Sequence, residues 1–253
     1  MRSGTSRLWA LSFATLVAVG CKHVPTEKEL QRAQIHYDLG VQSQQTDPRA
    51  AFKEFEAALT LDTDFPEAHN GIAVVLHLAF GRHDEAIVHY KRALEVRPDF
   101  SEAKTNLANV YLDLKRYDEA IALYEQVLND MLYQTPFIAQ GNLGWAFYKK
   151  GDAKKAIDHI KAALTSNPKF CLGQRNLGTI YDEQGDTAEA CRRFGRYREA
   201  CPDAAEADFL EGKCLAKLGD SAAAKNSFEQ CTSKAKLDDQ RDDCRRLAEK
   251  LGP

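Results

Sequence analysis

Cysteine, histidine and carboxylate side chains are the groups in this 253-residue chain able to do chemistry, and their spacing decides which chemistry it is. Six cysteines, Cys171, Cys191, Cys201, Cys214, Cys231 and Cys244, crowd into the last third, while Cys21 stands alone near the start. An even set of thiols in an exported chain pairs into disulfides; the alternative is that some remain buried free thiols filling a core. The histidines, at 23, 36, 69, 77, 83, 89 and 159, form no His-Glu-x-x-His pair and no cluster with metal-ligand spacing, so no metal is expected. His83 and His89 read as solvated surface. No phosphate-cradling glycine loop and no nucleophile elbow occur. Asp84-Glu85 and Asp118-Glu119 recur at one phase, where they favour the positive start of a helix instead of trading protons. The expectation is a chain that catalyses nothing, holds no cofactor and has no small-molecule substrate. A net charge of −3 with 28% charged residues offers no single-sign surface for nucleic acid.

Cys21 has a different context. Arg2 and Arg7 precede an apolar run from Leu8 to Val19, too short to span a bilayer comfortably. Ala18-Val19-Gly20 then place small or modest side chains directly before Cys21, which resembles the lipobox of bacterial lipoproteins, apart from Ala18 where Leu is usual. That resemblance implies a signal peptide over 1–20, cleavage before Cys21 and acylation of the new N-terminus; the alternative is a plain secretory signal with a coincidental cysteine. Several acyl chains would anchor the protein durably, since each buried CH₂ contributes about 0.8 kcal/mol and one chain holds only weakly. Lys22 in place of Asp favours the outer membrane, on its periplasmic face.

The elements behind the anchor are legible as an internal repeat. Ala51, Ala86, Ala120, Ala156, Ala190 and Ala224 recur every 34–36 residues, each followed four positions later by a bulky residue: Phe55, Tyr90, Tyr124, Ile160, Phe194 and Phe228. Upstream, Leu39-Gly40, Ile72-Ala73, Leu107-Ala108, Leu143-Gly144 and Leu177-Gly178 place a small residue where two helices must approach closely, with Glu211-Gly212 a degraded copy. Turns such as Lys150-Gly151-Asp152 and Gln184-Gly185-Asp186 separate two helices per unit, and Pro98, Pro168 and Pro202 fall between units.

This pattern resembles the tetratricopeptide (TPR) helix-turn-helix. It implies an all-α fold, an α-solenoid of about six repeats over 33–236 (33–65, 66–100, 101–136, 137–170, 171–204 and 205–236). A tether and lead-in cover 21–32, and a capping helix covers 237–253. Residues 129–134 exceed the period by two residues, as an extended second helix or a kinked joint dividing the solenoid. Helical phase pairs Cys171 with Cys201, Cys191 with Cys214 and Cys231 with Cys244, rigidifying the C-terminal repeats.

In TPR superhelices the concave groove is lined by the first helices. The matching phases here hold Tyr37, Val41, Asn70, Val74, Leu78, Asn109, Leu112, Trp145 and Tyr148, several of them apolar residues that a core does not require. An amphipathic helix or extended segment with apolar anchors would suit that groove, unless Trp145 and Tyr148 pack against neighbouring helices. Tyr37 and Val41 stand where chaperone-binding members carry a carboxylate clamp, so no clamp is expected. Asn106, Asn142 and Asn176 belong to the ordinary consensus. The last two repeats offer a charged surface of Arg175, Asp182, Glu183, Lys213 and Lys217, although Leu172 and Phe209 share the groove phase.

A lipobox cysteine followed by six such repeats and a short cap resembles the pilotin lipoproteins of type IV pili, of the PilF and PilW type and most closely Tgl. That resemblance implies an outer-membrane lipoprotein that binds subunits of the secretin PilQ and promotes their insertion and multimerisation for pilus assembly and motility. A periplasmic TPR adaptor for cell-wall hydrolases or outer-membrane protein assembly shares the same local features.

Overall fold

The computed structural model describes residues 24–252, so Cys21 and the segment before it lie outside the described residues. Thirteen α-helices and no strand are found among the described residues. They form six antiparallel pairs and a final single helix: α1 (Glu27–Ser43) with α2 (Pro48–Leu61), α3 (Pro66–Leu78) with α4 (His83–Val96), α5 (Ser101–Asp113) with α6 (Tyr117–Leu128), α7 (Pro136–Lys149) with α8 (Ala153–Ser166), α9 (Cys171–Glu183) with α10 (Thr187–Ala200), α11 (Ala205–Lys217) with α12 (Ser221–Lys234), then α13 (Asp238–Lys250). Each helix packs on the next in order, so the architecture is an α-solenoid.

Local chemistry sets the helix ends. Asp47, Asp152, Asp186 and Asp220 accept backbone N–H groups at the starts of α2, α8, α10 and α12, satisfying donors that have no intrahelical partner. The turns within the second to sixth pairs each hold one residue at positive φ, supplied by Gly81, Gly151, Gly185 and Gly219, with Lys115 in that role in the third pair.

Packing follows from the phased small and large residues. The ring of Phe55 lies against both Gly40 and Gly71, where a Cβ would come within 2.5 and 2.7 Å of it. Phe194 fills the site at Gly178 and Phe228 the one at Gly212. At Gly144 a Cβ would meet backbone, 2.9 Å from the Ala156 carbonyl oxygen and 3.1 Å from the Ile160 nitrogen. Leu107, Leu143 and Leu177 are buried at the seam with the preceding pair, whereas Leu39 of the first pair, with no pair before it among the described residues, is 44% exposed.

Two expectations are corrected. The segment assigned as lead-in to residue 32 is already helix, because Thr26 and Glu29 close a reciprocal capping box: Thr26 Oγ1 accepts from the Glu29 N–H at 3.3 Å and the Glu29 carboxylate accepts from the Thr26 N–H at 2.7 Å. The long joint after the third pair neither extends α6 nor divides the solenoid. Residues 129–135 are non-helical, and one hydrophobic core runs from Ala51 to Ile180 across them, with Tyr133 and Phe137 packed against it.

Beyond Ile180 the core breaks into small clusters built largely from alanine and cysteine. The degraded consensus explains this. Glu211, in the leucine position, is buried against Arg198 (2.8 Å) and Ser227 (3.1 Å), and burial pushes its carboxyl up. Asp208 is fully buried with Lys234 at 2.8 Å. Buried ion pairs recover little beyond their own desolvation, so this half gains less from its core than an apolar one would. Disulfides stand in their place: Cys171–Cys201 joins the two ends of one pair, Cys191–Cys214 joins two pairs, and Cys231–Cys244 fastens α13, with Cα–Cα separations of 6.0, 5.4 and 5.9 Å. Leu247 and Leu251 complete the cap by packing on Ala224 and Phe228.

Replacing Gly144 by Val is expected to lower the unfolding free energy by about 2–3 kcal/mol, read by denaturant titration, because α7 and α8 must separate. Reduction is expected to remove about 2–4 kcal/mol per bridge, with hydrogen exchange accelerating in α10–α13 while α3–α8 stay protected. Uniform acceleration along the chain would contradict this division.

Candidate functional site: the concave groove

The first helices of four successive pairs build one concave wall. Val74 and Leu78 from α3, Leu112 from α5, Trp145 from α7 and Leu172 from α9 line a cavity of about 290 Å³ with Asn106, Asn109, Asn142 and Asn176 among them. His77, Tyr90, Asp113 and Arg175 complete its lining. A second cavity of about 320 Å³ continues toward α1, lined by Val41, Gln44, Gln45, Val74 and Leu78. Leu78 and Val41 are exposed, so apolar surface faces solvent along this groove without an internal partner.

The polar residues of the floor bond chiefly to one another. Asn106 donates to the Asn70 side-chain oxygen at 3.1 Å, and Asn70 donates to Glu102 at 3.3 Å. Asn109 accepts from Asn142 at 2.9 Å and from the Tyr124 hydroxyl at 2.6 Å. His77 Nε2 lies 2.7 Å from an Asp113 carboxylate oxygen. Four of these bonds, Asn106 to Asn70, Asn70 to Glu102, Asn142 to Asn109 and His77 to Asp113, link one first helix to the next and so hold the spacing of the wall. Asn106, Asn142 and Asn176 match the ordinary repeat consensus, and their shared phase on the first helices is the signal that places them on the floor.

Six of the nine groove candidates, Val41, Val74, Leu78, Asn109, Leu112 and Trp145, face these two cavities. Tyr37 instead packs between Phe55 and Phe65, with ring centroids 5.8 and 5.2 Å away, and burial pushes its hydroxyl up. Asn70 is buried beneath the floor. Tyr148 stacks on Trp145 at 5.2 Å, and its hydroxyl donates to Glu183; burial and that carboxylate push it up to about 12. Lys149 sits 4.4 Å over the Trp145 ring, leaving it half-buried.

On the last two pairs the charges satisfy each other. Lys217 reaches Asp182 at 2.5 Å, Arg175 reaches Glu206 at 3.5 Å, and Glu183 is taken by Tyr148. Phe209 turns into the core against Phe228, covered by Lys213. The apolar stretch of the groove therefore ends at Leu172.

The histidines of the second pair depart from the expectation of solvated surface. His83 is half-buried against His77, ring centroids 5.4 Å apart, with Nδ1 lacking a partner. His89 Nδ1 lies 3.1 Å from His69 Nδ1, and His69 Nε2 lies 3.1 Å from the Thr63 carbonyl oxygen. That carbonyl requires His69 Nε2–H to donate, so His69 Nδ1 accepts and His89 Nδ1–H donates in the neutral pair. Burial first, then the His69 neighbour, lowers His89 from 6.5 to about 4. Among the described residues no group of three or more His, Cys, Asp or Glu is placed to hold a metal ion.

The unfolded chain binds protons at His89 below about pH 6.5, whereas the folded chain resists them until about pH 4. Stability is therefore expected to be full above pH 6.5 and to fall as pH drops toward 4. His89→Gln should flatten that slope in thermal melts measured across the range.

Comparison with known proteins extends this geometry. Tetratricopeptide-repeat models match residues 77–131, residues 41–93 and 175–228, and residues 139–170. Among curated relatives, mouse Superkiller complex protein 3 is 24% identical over 190 residues, which is 70% of this chain but 12% of that protein. The chain thus spans about an eighth of such a relative. Among solved structures, PilW, described as a widely conserved type IV pilus biogenesis factor, superposes with a TM-score of 0.74 at 24% identity, covering 84% of this chain and 98% of that one. PilF of Pseudomonas aeruginosa superposes with a TM-score of 0.70 at 17% identity, covering 87% and 99%. At these identities the likeness is one of fold.

Proposed function

From the premise that the chain belongs to the tetratricopeptide-repeat family, we propose that it is an outer-membrane pilotin, anchored through acylated Cys21, whose groove binds a secretin subunit. The observation that carries this reading is the apolar, solvent-facing wall of Val74, Leu78, Leu112, Trp145 and Leu172 on a rigid asparagine-linked floor. Such a wall suits an apolar segment that a secretin protomer exposes before it assembles. The fold shared with PilW and PilF over nearly the whole of those chains supports the choice of partner, and the Tgl-type pilotins are the relatives this role resembles most.

The mechanism divides between tether and groove. Acyl chains at Cys21 confine the solenoid to the periplasmic face of the outer membrane, which turns a weak groove into an effective one by raising local concentration. The groove covers the apolar segment until neighbouring secretin protomers bury it against each other. Multimers then insert, and pilus extension and motility follow.

Leu78→Asp and Leu172→Asp together put charge on the apolar wall at its two most exposed positions. Detergent-resistant PilQ multimers are expected to fall by roughly tenfold or more in membranes of cells carrying this variant, at unchanged protein level. Intact multimers would sink the groove assignment. Normal multimers with altered cell-wall morphology in a deletion strain would point to the adaptor role instead.

A further inference from the structure

We infer that the edge of the solenoid carrying the joint after α6 docks into the headgroup layer of the membrane that holds Cys21; this rests on the reading of Cys21 as the acylated anchor. The three most exposed large apolar side chains described are Met131 at 97%, Leu132 at 83% and Val24 at 81%. Antiparallel pairing puts all three on one edge. α1 starts on it, every second helix returns to it, and the joint at 129–135 closes on it after α6, as does the turn holding exposed Leu237. The opposite edge mixes polar turn residues, Lys115, Asp152, Gln184 and Asp220 among them, with the less exposed apolar side chains Leu78 at 73% and Leu218 at 50%.

The joint is built to present its apolar pair. Asp130 accepts from the Leu132 N–H at 2.9 Å and from the Ser101 hydroxyl at 2.6 Å, bonds that hold its carboxyl below the usual range, and Gln134 donates to the Leu132 carbonyl at 3.0 Å. Tyr133 beside them is half-buried against the core, an aromatic at the depth such rings favour in a membrane interface. The residues by which this joint exceeds the repeat period are spent on two side chains with no internal contact to make.

The tether selects the occupant. Only residues 22–26 separate Cys21 from α1, and even fully extended they reach about 20 Å. The edge from which α1 starts is thus kept near the bilayer. An apolar pair at the rim of that edge meets lipid headgroups before it meets a diffusing protein, and immersion of a few ångströms covers it.

The two readings fail separately. Acylation is read as loss of membrane fractionation in Cys21→Ser. Docking is read on the mature chain from residue 22, held by an N-terminal hexahistidine tag on phosphatidylcholine–phosphatidylglycerol vesicles containing a nickel-chelating lipid, so it is answered whatever the fate of Cys21. Trp145→Phe leaves the mature chain without tryptophan, and Met131→Trp, Leu132→Trp or Leu218→Trp then reports one edge or the other. Brominated acyl chains are expected to quench emission from position 131 or 132 by about half and to leave position 218 unchanged. Equal quenching of both edges by aqueous iodide, with none by bromine, would overturn the proposal and leave the joint to a protein partner.

Discussion

The contact between a bulky residue on each second helix and a small residue on the first helix is what the rest of this molecule depends on. With glycine at 40, 144, 178 and 212, the two helices of a pair close until ring or backbone touches backbone, and no side chain of ordinary size fits between them. That approach fixes the angle of the pair, and the angle turns the residues three and four positions along outward to the next pair. Phe55 shows both steps at once, since it rests on Gly40 of its own pair and Gly71 of the next. The curvature of the wall at Val74, Leu112 and Trp145 follows from repeating this contact. Groove and core are accordingly two faces of one packing rule.

Much of this was legible in the sequence because a solenoid is quasi-one-dimensional. Phase along the chain translates directly into face, so the alanine register, the glycine turns and most of the groove could be placed without coordinates. What phase cannot convey is which of two neighbours a side chain chooses. Tyr37 leaves the groove for Phe55 and Phe65, and His89 turns to His69, because in each case a partner one helix away completes its contacts. The capping box at Thr26 was present as a Thr-x-x-Glu spacing, but the turns that follow it, Glu27 to Arg32, are polar apart from Leu30 and show little apolar periodicity to mark a helix. The joint at 129–135 violates the period, and a broken period leaves its conformation open.

The chain uses two different means of cohesion along its length. From Ala51 to Ile180 one apolar core extends across pair after pair, with a smaller cluster of Ala33, Ala58 and Ala68 at its N-terminal end. Past that point the consensus decays, a carboxylate, Glu211, enters the leucine position, and covalent links replace area. The exchange coincides with the end of the apolar groove at Leu172, beyond which surface charges pair among themselves. Residues facing the groove and residues facing the core thus change character at the same boundary.

The bridges also interleave, since Cys191 lies within the loop closed by Cys171 and Cys201 while its own partner, Cys214, lies outside it. When the described chain is pulled from its two ends, contour length is released by unravelling helices one pair at a time. The interleaved loops withhold most of the chain between 171 and 214 from that release. Extension is then drawn from the disulfide-free N-terminal pairs, making the C-terminal third an inextensible handle and the groove-bearing part the compliant spring.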